Sequence, residues 1–131
     1  MIRIAVIEDD LPIAHMYEHK LKGAGFDVKL AHNGVDGLEL LEDYTPDLVL
    51  LDIRMPQMYG DEMLEKVRQT DWGSKIRVIV LTNISKDEAP TSLRVLGVDR
   101  YVVKAHHTPA QILEIVKDIL NIPRTKKVGY T

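Results

Sequence analysis

The stretch Val49-Leu50-Leu51-Asp52-Ile53-Arg54-Met55-Pro56 decides the fold. Its apolar run ends abruptly at one carboxylate, Asp52, and turn-forming residues follow at Pro56 and Gly60. A short apolar run between such breakers predicts a strand that is buried on both faces. Ligands of an open parallel sheet sit beyond the carboxyl ends of its strands, so Asp52 is expected where a reacting side chain would lie. The alternative is that Asp52 merely caps the turn that follows the strand.

Four further short runs with apolar or alternating character predict strands on either side of this one. The five predicted strands span residues 2–7, 26–31, 47–52, 76–81 and 101–103. Apolar residues at helical spacing predict a helix after each strand. Of these, the fourth helix is predicted to start at an Asp87 cap, so that Pro90 falls in its first turn, and to end at Gly97. Five short crossovers of this kind favour an α/β fold, a doubly wound five-stranded parallel sheet in one domain.

Composition excludes several classes of protein. No apolar run approaches the roughly 20 residues that cross a bilayer, and the acids that follow the first strand argue against a signal peptide. Cysteine is absent, which excludes disulfides and thiol chemistry and fits a cytoplasmic location. The net charge of −3 argues against a nucleic-acid-binding surface. The basic cluster near the C-terminus, Arg124, Lys126 and Lys127, is interpreted as part of a solvated tail.

Polar residues follow four of the predicted strands, and a parallel sheet brings these strand ends to one edge. They are Glu8, Asp9 and Asp10 after the first strand, Asp52 at the third, Thr82 and Asn83 after the fourth, and Lys104 after the fifth. Two carboxylates about 4 Å apart repel by roughly 4 kcal/mol at an effective dielectric near 20, and one lysine cannot neutralise three of them. A hard divalent cation can, and Mg²⁺ prefers such oxygen ligands, whereas zinc prefers Cys and His. The alternative is that one carboxylate stays protonated.

The acidic first turn also bears on the chemistry. Glu8-Asp9-Asp10-Leu11-Pro12 replaces the glycine-rich turn by which a dinucleotide fold approaches a pyrophosphate. With a metal bound, Asp52 is a plausible nucleophile, because carboxylates form acyl phosphates. Phosphoryl transfer requires mainly positioning and charge neutralisation. Mg²⁺ and Lys104 would supply positive charge, and the Thr82 hydroxyl would supply a hydrogen bond.

Several motifs taken together resemble one family. They are Glu8-Asp9 after the first strand, Asp52-x-x-Met55-Pro56 with Gly60 after the third, Thr82 after the fourth, and Tyr101-Val102-Val103-Lys104 at the fifth. The chain resembles the receiver domain of two-component response regulators, the CheY-like superfamily, up to about residue 121. The resemblance implies the strand order 2-1-3-4-5, with a receiver domain over residues 1–121 and a C-terminal tail over 122–131.

The resemblance also implies roles for individual residues. Asp52 is expected to be the phosphoacceptor, and Asp9 and Asp52 the direct Mg²⁺ ligands together with the backbone carbonyl of Arg54. Glu8 is expected to act as a more distant or water-mediated ligand. Thr82 and Lys104 would sense the phosphoryl group, and Tyr101 would be the switch aromatic.

For partners, the family implies a sensor histidine kinase or a phosphotransfer protein as phosphodonor. It implies an output surface made of the fourth helix, the fifth strand and the fifth helix. The output partner is unknown. We expect no nucleic acid or membrane partner, and either a monomer or a phosphorylation-dependent homodimer.

Two residues depart from the family pattern. Ala105 stands where the family usually has proline, often after a cis bond. Since a non-proline cis bond costs about 2.5–4 kcal/mol, we predict a trans Lys104–Ala105 bond. Asn83 stands where a small residue is usual, so we predict slower phosphorylation by small donors than in Asn83→Ala. The bulky Arg54 is also expected to lie beside the site and to tune dephosphorylation.

The sequence therefore favours a phosphorylation-controlled signalling switch rather than an enzyme. An alternative is that the chain is the excised N-terminal receiver of a longer regulator. A remote alternative from another class is an aspartate-nucleophile phosphatase of the haloacid dehalogenase type. That family needs a second Asp two residues after the nucleophile, where this chain has Arg54.

Overall fold

Five parallel strands form one sheet in the computed structural model, which describes residues 1–121. The strands are β1 Arg3–Ile7, β2 Asp27–Ala31, β3 Leu48–Leu51, β4 Arg77–Thr82 and β5 Arg100–Val103. Their order is β2-β1-β3-β4-β5, as predicted. The predicted tail, 122–131, with its basic cluster, lies outside the described residues.

Four α-helices cover the two faces of the sheet within residues 1–121. They are α1 Leu11–Gly23, α2 Gly34–Tyr44, α3 Gly60–Arg68 and α4 Pro109–Leu120. Alternate strand residues point to opposite faces, so the sheet divides its apolar residues between two cores. One core includes α2 and α3, and the other includes α1 and α4. None of the helices described is long and apolar enough to cross a bilayer.

Local sequence signals fix where several helices begin. The carboxylate of Asp10 accepts a hydrogen bond from the Ile13 N–H, which caps α1 one residue before Leu11. Asn33 caps α2 in the same way, because its Oδ1 accepts a hydrogen bond from the Asp36 N–H. Such side-chain acceptors satisfy backbone donors that lack a partner in the first turn. The Asp10 cap places the acidic turn, 8–10, between β1 and α1.

The prediction of a fourth α-helix after β4 was wrong. Two short 3-10 turns, Lys86–Glu88 and Thr91–Val95, occupy this segment instead. A proline ring disfavours the helical conformation in the residue before it, and Ala89 accordingly is extended, with φ −67° and ψ 149°. Few residues remain for a helix between Pro90 and Gly97, because the chain turns at Gly97, where φ is +72°. The last helix, α4, thus takes the place of the expected fifth helix.

Strand register brings the carboxyl ends of the central strands to one edge. In the register, Ile7 pairs with Leu51, Leu51 with Val80, and Thr82 with Val103. The residues that follow β1, β3 and β5, together with the last residue of β4, therefore meet at that edge.

Candidate functional site

The residues predicted to meet do lie together at this edge. Glu8, Asp52 and Thr82 are buried, with 3%, 7% and 2% of their surface exposed, and Asp9 is exposed. Lys104 begins a 3-10 turn directly after β5. The buried members sit where the sheet and the following loops exclude water, so their charges interact more strongly than they would at the surface.

Lys104 bridges two of the carboxylates. Its ammonium Nζ donates a hydrogen bond to Glu8 Oε1 and, at 3.1 Å, to Asp52 Oδ2. Only 11% of the lysine side chain is exposed. The other oxygen of Asp52, Oδ1, accepts a hydrogen bond from the Ile53 N–H at 2.7 Å. Both oxygens of Asp52 are therefore held, and the ammonium is the counter-ion that Glu8 and Asp52 share.

Burial and charge shift the pKa of two of these groups. Burial raises the pKa of Glu8 to about 7, and the charge of Asp52 adds to this, although the hydrogen bond from Lys104 opposes it. Burial lowers the pKa of Lys104, but the hydrogen bond to Glu8 and the negative charge of Asp52 outweigh this effect, so the pKa of Lys104 is raised. Lys104 thus stays protonated near neutral pH, where Glu8 can exchange a proton.

Three carboxylates at the site could hold a metal ion. Glu8, Asp9 and Asp52 each offer one oxygen, and these three atoms all lie within 4.8 Å of one another. Lys104 cannot balance three negative charges, and the exposed carboxylate of Asp9 leaves the cluster open to solvent. An all-oxygen donor set with excess negative charge suits a hard divalent cation such as Mg²⁺. The residues present therefore fit the cation that the sequence predicted.

A pocket of about 280 Å³ opens beside Asp52 and is large enough for a phosphoryl group. The residues that line it come from the loops after β3, β4 and β5: Asp52, Arg54, Thr82, Asn83, Ile84, Ser85, Glu88 and Lys104. Lys104 and Thr82 supply a cation and a hydroxyl to one pocket that also contains the carboxylate. Such a set of groups can bind an anion next to a carboxylate.

The loop after β3 closes tightly against Asp52. The Gly60 N–H donates to the Ile53 carbonyl oxygen at 2.7 Å. A Cβ atom on Gly60 would lie 2.1 Å from the carbonyl oxygen of Asp52, which is far inside contact distance. Gly60 is thus required for the close approach that brings Arg54 and its neighbours around the carboxylate.

Two contacts join the loop after β4 to β5 and to the 3-10 turn that follows β5. Tyr101 is buried, and its hydroxyl donates to the Ile84 carbonyl oxygen at 2.7 Å. The carboxamide Oδ1 of Asn83 accepts a hydrogen bond from the Ala105 N–H at 3.1 Å. The Lys104–Ala105 bond is trans, as predicted.

The sequence did not predict the hydrogen bond between Tyr101 and Ile84 or the one between Asn83 and Ala105. No sequence signal could have found Ile84, since it acts through its backbone carbonyl. Asn83 and Ala105 were recognised as unusual, but each separately and without the contact between them.

Comparisons with known proteins agree with this geometry. A family model for the response regulator receiver domain matches residues 4–117. A CheY-like receiver domain protein from Methanospirillum hungatei is 29% identical with a TM-score of 0.84, over 92% of this chain and 94% of that one. The response regulator TrrA from Thermotoga maritima, solved in complex with Mg²⁺ and BeF, is 30% identical with a TM-score of 0.79, over 91% and 99%.

The chemotaxis response regulator CheY4 of Vibrio cholerae has the same fold. Its TM-score is 0.83 at 24% identity, over 91% of this chain and 98% of that one. The chain belongs to the family of response regulator receiver domains, the CheY-like signalling domains of two-component systems.

Proposed function

We propose that this chain is a phosphorylation-controlled signalling domain in which Asp52 accepts the phosphoryl group. The observation that carries the proposal is the position of the Asp52 carboxylate. It is buried, it contacts Lys104, and it opens onto a pocket that also contains Thr82. A carboxylate so placed is both oriented for attack and adjacent to groups that stabilise a transferred anion.

The carboxylate cluster would hold Mg²⁺ through Asp9, Asp52 and the backbone carbonyl of Arg54, with Glu8 acting at longer range. The resemblance to the family is the basis of this division, since Glu8 and Asp52 each already accept a hydrogen bond from the Lys104 ammonium. When bound, Mg²⁺ would neutralise charge shared between the carboxylate and the incoming phosphoryl group. The Thermotoga maritima protein, a relative of similar length, was solved with Mg²⁺ and BeF.

In the proposed transfer, a carboxylate oxygen of Asp52 attacks the phosphorus of a phosphohistidine donor. A P–O bond forms, the P–N bond breaks, and the donor imidazole leaves and takes up a proton. Lys104 Nζ exchanges part of its contact with the Asp52 carboxylate for a phosphoryl oxygen, and the Thr82 hydroxyl donates to another. The donor would be a sensor histidine kinase or a phosphotransfer protein.

The output would arise where the loop after β4 meets β5. Tyr101 would act as the switch aromatic, since its hydroxyl bonds the loop that begins next to Thr82. Moving a switch from 1:99 to 99:1 takes about 5.5 kcal/mol, a scale that a few charge-assisted hydrogen bonds of about 1.5–3 kcal/mol each can reach. The surface that changes would comprise the 3-10 turns 86–95, β5 and α4, and would bind an as yet unidentified output partner.

The domain would act in the cytoplasm without contacting nucleic acid or membrane itself, as a monomer or as a homodimer formed on phosphorylation. Residues 1–121 would form the receiver and 122–131 a tail, either as a stand-alone protein or as part of a longer regulator. Its only chemistry would be to take up and to lose its own phosphoryl group.

The test is labelling by acetyl phosphate with Mg²⁺. Wild type should gain one phosphoryl group, and Asp52→Asn should gain none because an amide is not a nucleophile. Asp43→Asn, at an exposed position on α2, is the matched control and should label like wild type. Undiminished labelling of Asp52→Asn would refute the proposal. Steady turnover of a phosphate ester would instead favour an aspartate-nucleophile phosphatase.

A further inference from the structure

Asn83 connects the two loops that carry the groups expected to hold the phosphoryl group. Its backbone directly follows Thr82, the last residue of β4, and its Oδ1 accepts the N–H of Ala105, which directly follows Lys104. We propose that Asn83 is a positioning residue, and that its side chain latches Thr82 and Lys104 in the arrangement that binds a phosphoryl group. This inference rests on the proposed function and adds a residue to it.

The surrounding contacts show why one hydrogen bond can have this effect. The next residue of the same loop, Ile84, accepts the hydroxyl of Tyr101 from within β5. The loop is therefore tied to the chain on both sides of Lys104, by Tyr101 before it and by Ala105 after it. Of these two contacts, only the one from Tyr101 would remain without the Asn83 bond.

The bond also depends on the residue that it meets. Ala105 has a backbone N–H to donate, whereas a proline would have none. Asn83 is exposed and lines the mouth of the pocket beside Thr82 and Lys104. Because the bond holds both loops in place before a ligand binds, less conformational entropy is lost on binding. For a single exposed hydrogen bond, we expect a contribution of roughly 2- to 10-fold in affinity.

The experiment compares Asn83→Ala and Asn83→Leu with wild type. Asn83→Leu keeps approximately the bulk of the side chain but loses the acceptor, so the pair separates the hydrogen bond from steric obstruction of the pocket. Three quantities are measured: hydrogen exchange of the Ala105 amide, the affinity for Mg²⁺ alone, and the affinity for beryllofluoride, a phosphoryl analogue, in saturating Mg²⁺.

If Asn83 is a latch, both variants exchange the Ala105 amide faster than wild type. Asn83→Leu binds beryllofluoride roughly 2- to 10-fold more weakly, and Asn83→Ala regains part of this affinity because it also removes bulk from the pocket. Both keep the wild-type affinity for Mg²⁺, whose expected ligands follow β1 and β3. Beryllofluoride affinity equal to wild type in Asn83→Leu would overturn the latch, as would unchanged exchange of the Ala105 amide.

The outcomes also distinguish the latch from the function on which it rests. Wild-type protein that binds no beryllofluoride in the presence of Mg²⁺ would refute the proposed function, and with it the purpose of the latch. Wild-type protein that binds the analogue, with variants that bind it equally well, would refute the latch alone.

Discussion

Replacing Lys104 with methionine should expose the electrostatic balance of the site. The substitution keeps much of the length of the side chain but removes the ammonium that contacts Glu8 and Asp52. At 3.1 Å from Asp52 Oδ2, the attraction at a dielectric near 20 is about 5 kcal/mol. Burial of the ammonium offsets part of this, so we expect the metal-free variant to lose about 3–5 kcal/mol of unfolding free energy, the usual cost of leaving a buried charge unpaired.

The assay is urea unfolding at pH 8 in the presence of a chelator. With a slope of about 2 kcal/mol per molar urea, the midpoint should fall by roughly 2 M. Mg²⁺ should restore part of the stability, because it replaces the missing positive charge among the carboxylates. Lower pH should do the same, because a protonated Glu8 no longer repels Asp52.

Lys117 provides the matched control for this substitution. It pairs with Glu114 at 3.6 Å on α4, and the two side chains are 49% and 72% exposed. Exposed pairs of this kind contribute about 0.3–0.5 kcal/mol, so Lys117→Met should be nearly neutral and insensitive to Mg²⁺. If Lys104→Met lost no more stability than Lys117→Met, or if Mg²⁺ did not restore it, the electrostatic reasoning would be wrong.

Three further predictions concern stability. Folding raises the pKa of Glu8 to about 7, so the contribution of protonated Glu8 to the free energy of unfolding is complete below its unfolded pKa and is lost as the pH rises through 7. In denaturant titrations without metal, the stability of wild type relative to Glu8→Gln should therefore fall between about pH 5 and pH 8. Gly60→Ala should cost about 1–3 kcal/mol in urea unfolding because its Cβ would strike the Asp52 carbonyl, whereas Gly23→Ala, with open space around it, should not destabilise. Tyr101→Phe should lose about 0.5–1.5 kcal/mol in thermal unfolding through its missing hydroxyl, and an unchanged melting temperature would contradict this.

Much of the fold follows from local sequence signals. Four of the strands could be predicted because each is a short apolar run with a polar residue at its end, and the second because its residues alternate between apolar and polar. Their ends could be aligned because short helical crossovers require a parallel sheet. The convergence of Glu8, Asp52 and Lys104 was predictable for the same reason.

What could not be predicted depends on competing or long-range effects. The sequence 85–97 carries helix signals, but the effect of Pro90 on Ala89 and the turn at Gly97 leave room for 3-10 turns only. The bond between Asn83 and Ala105 requires two loops to meet in space, and neither residue signals the other in the sequence. Likewise, the shared ammonium of Lys104 appears only once the loops after β1, β3 and β5 are in place.

The most direct test of the central claim is to locate the phosphoryl group itself. Protein incubated with acetyl phosphate, with and without Mg²⁺, is reduced with borohydride to trap the acyl phosphate, and the modified residue is identified by peptide mass spectrometry. We predict modification at Asp52 alone, and only when Mg²⁺ is present. Modification of a different residue, or equal modification of Asp52 in a chelator, would contradict the account.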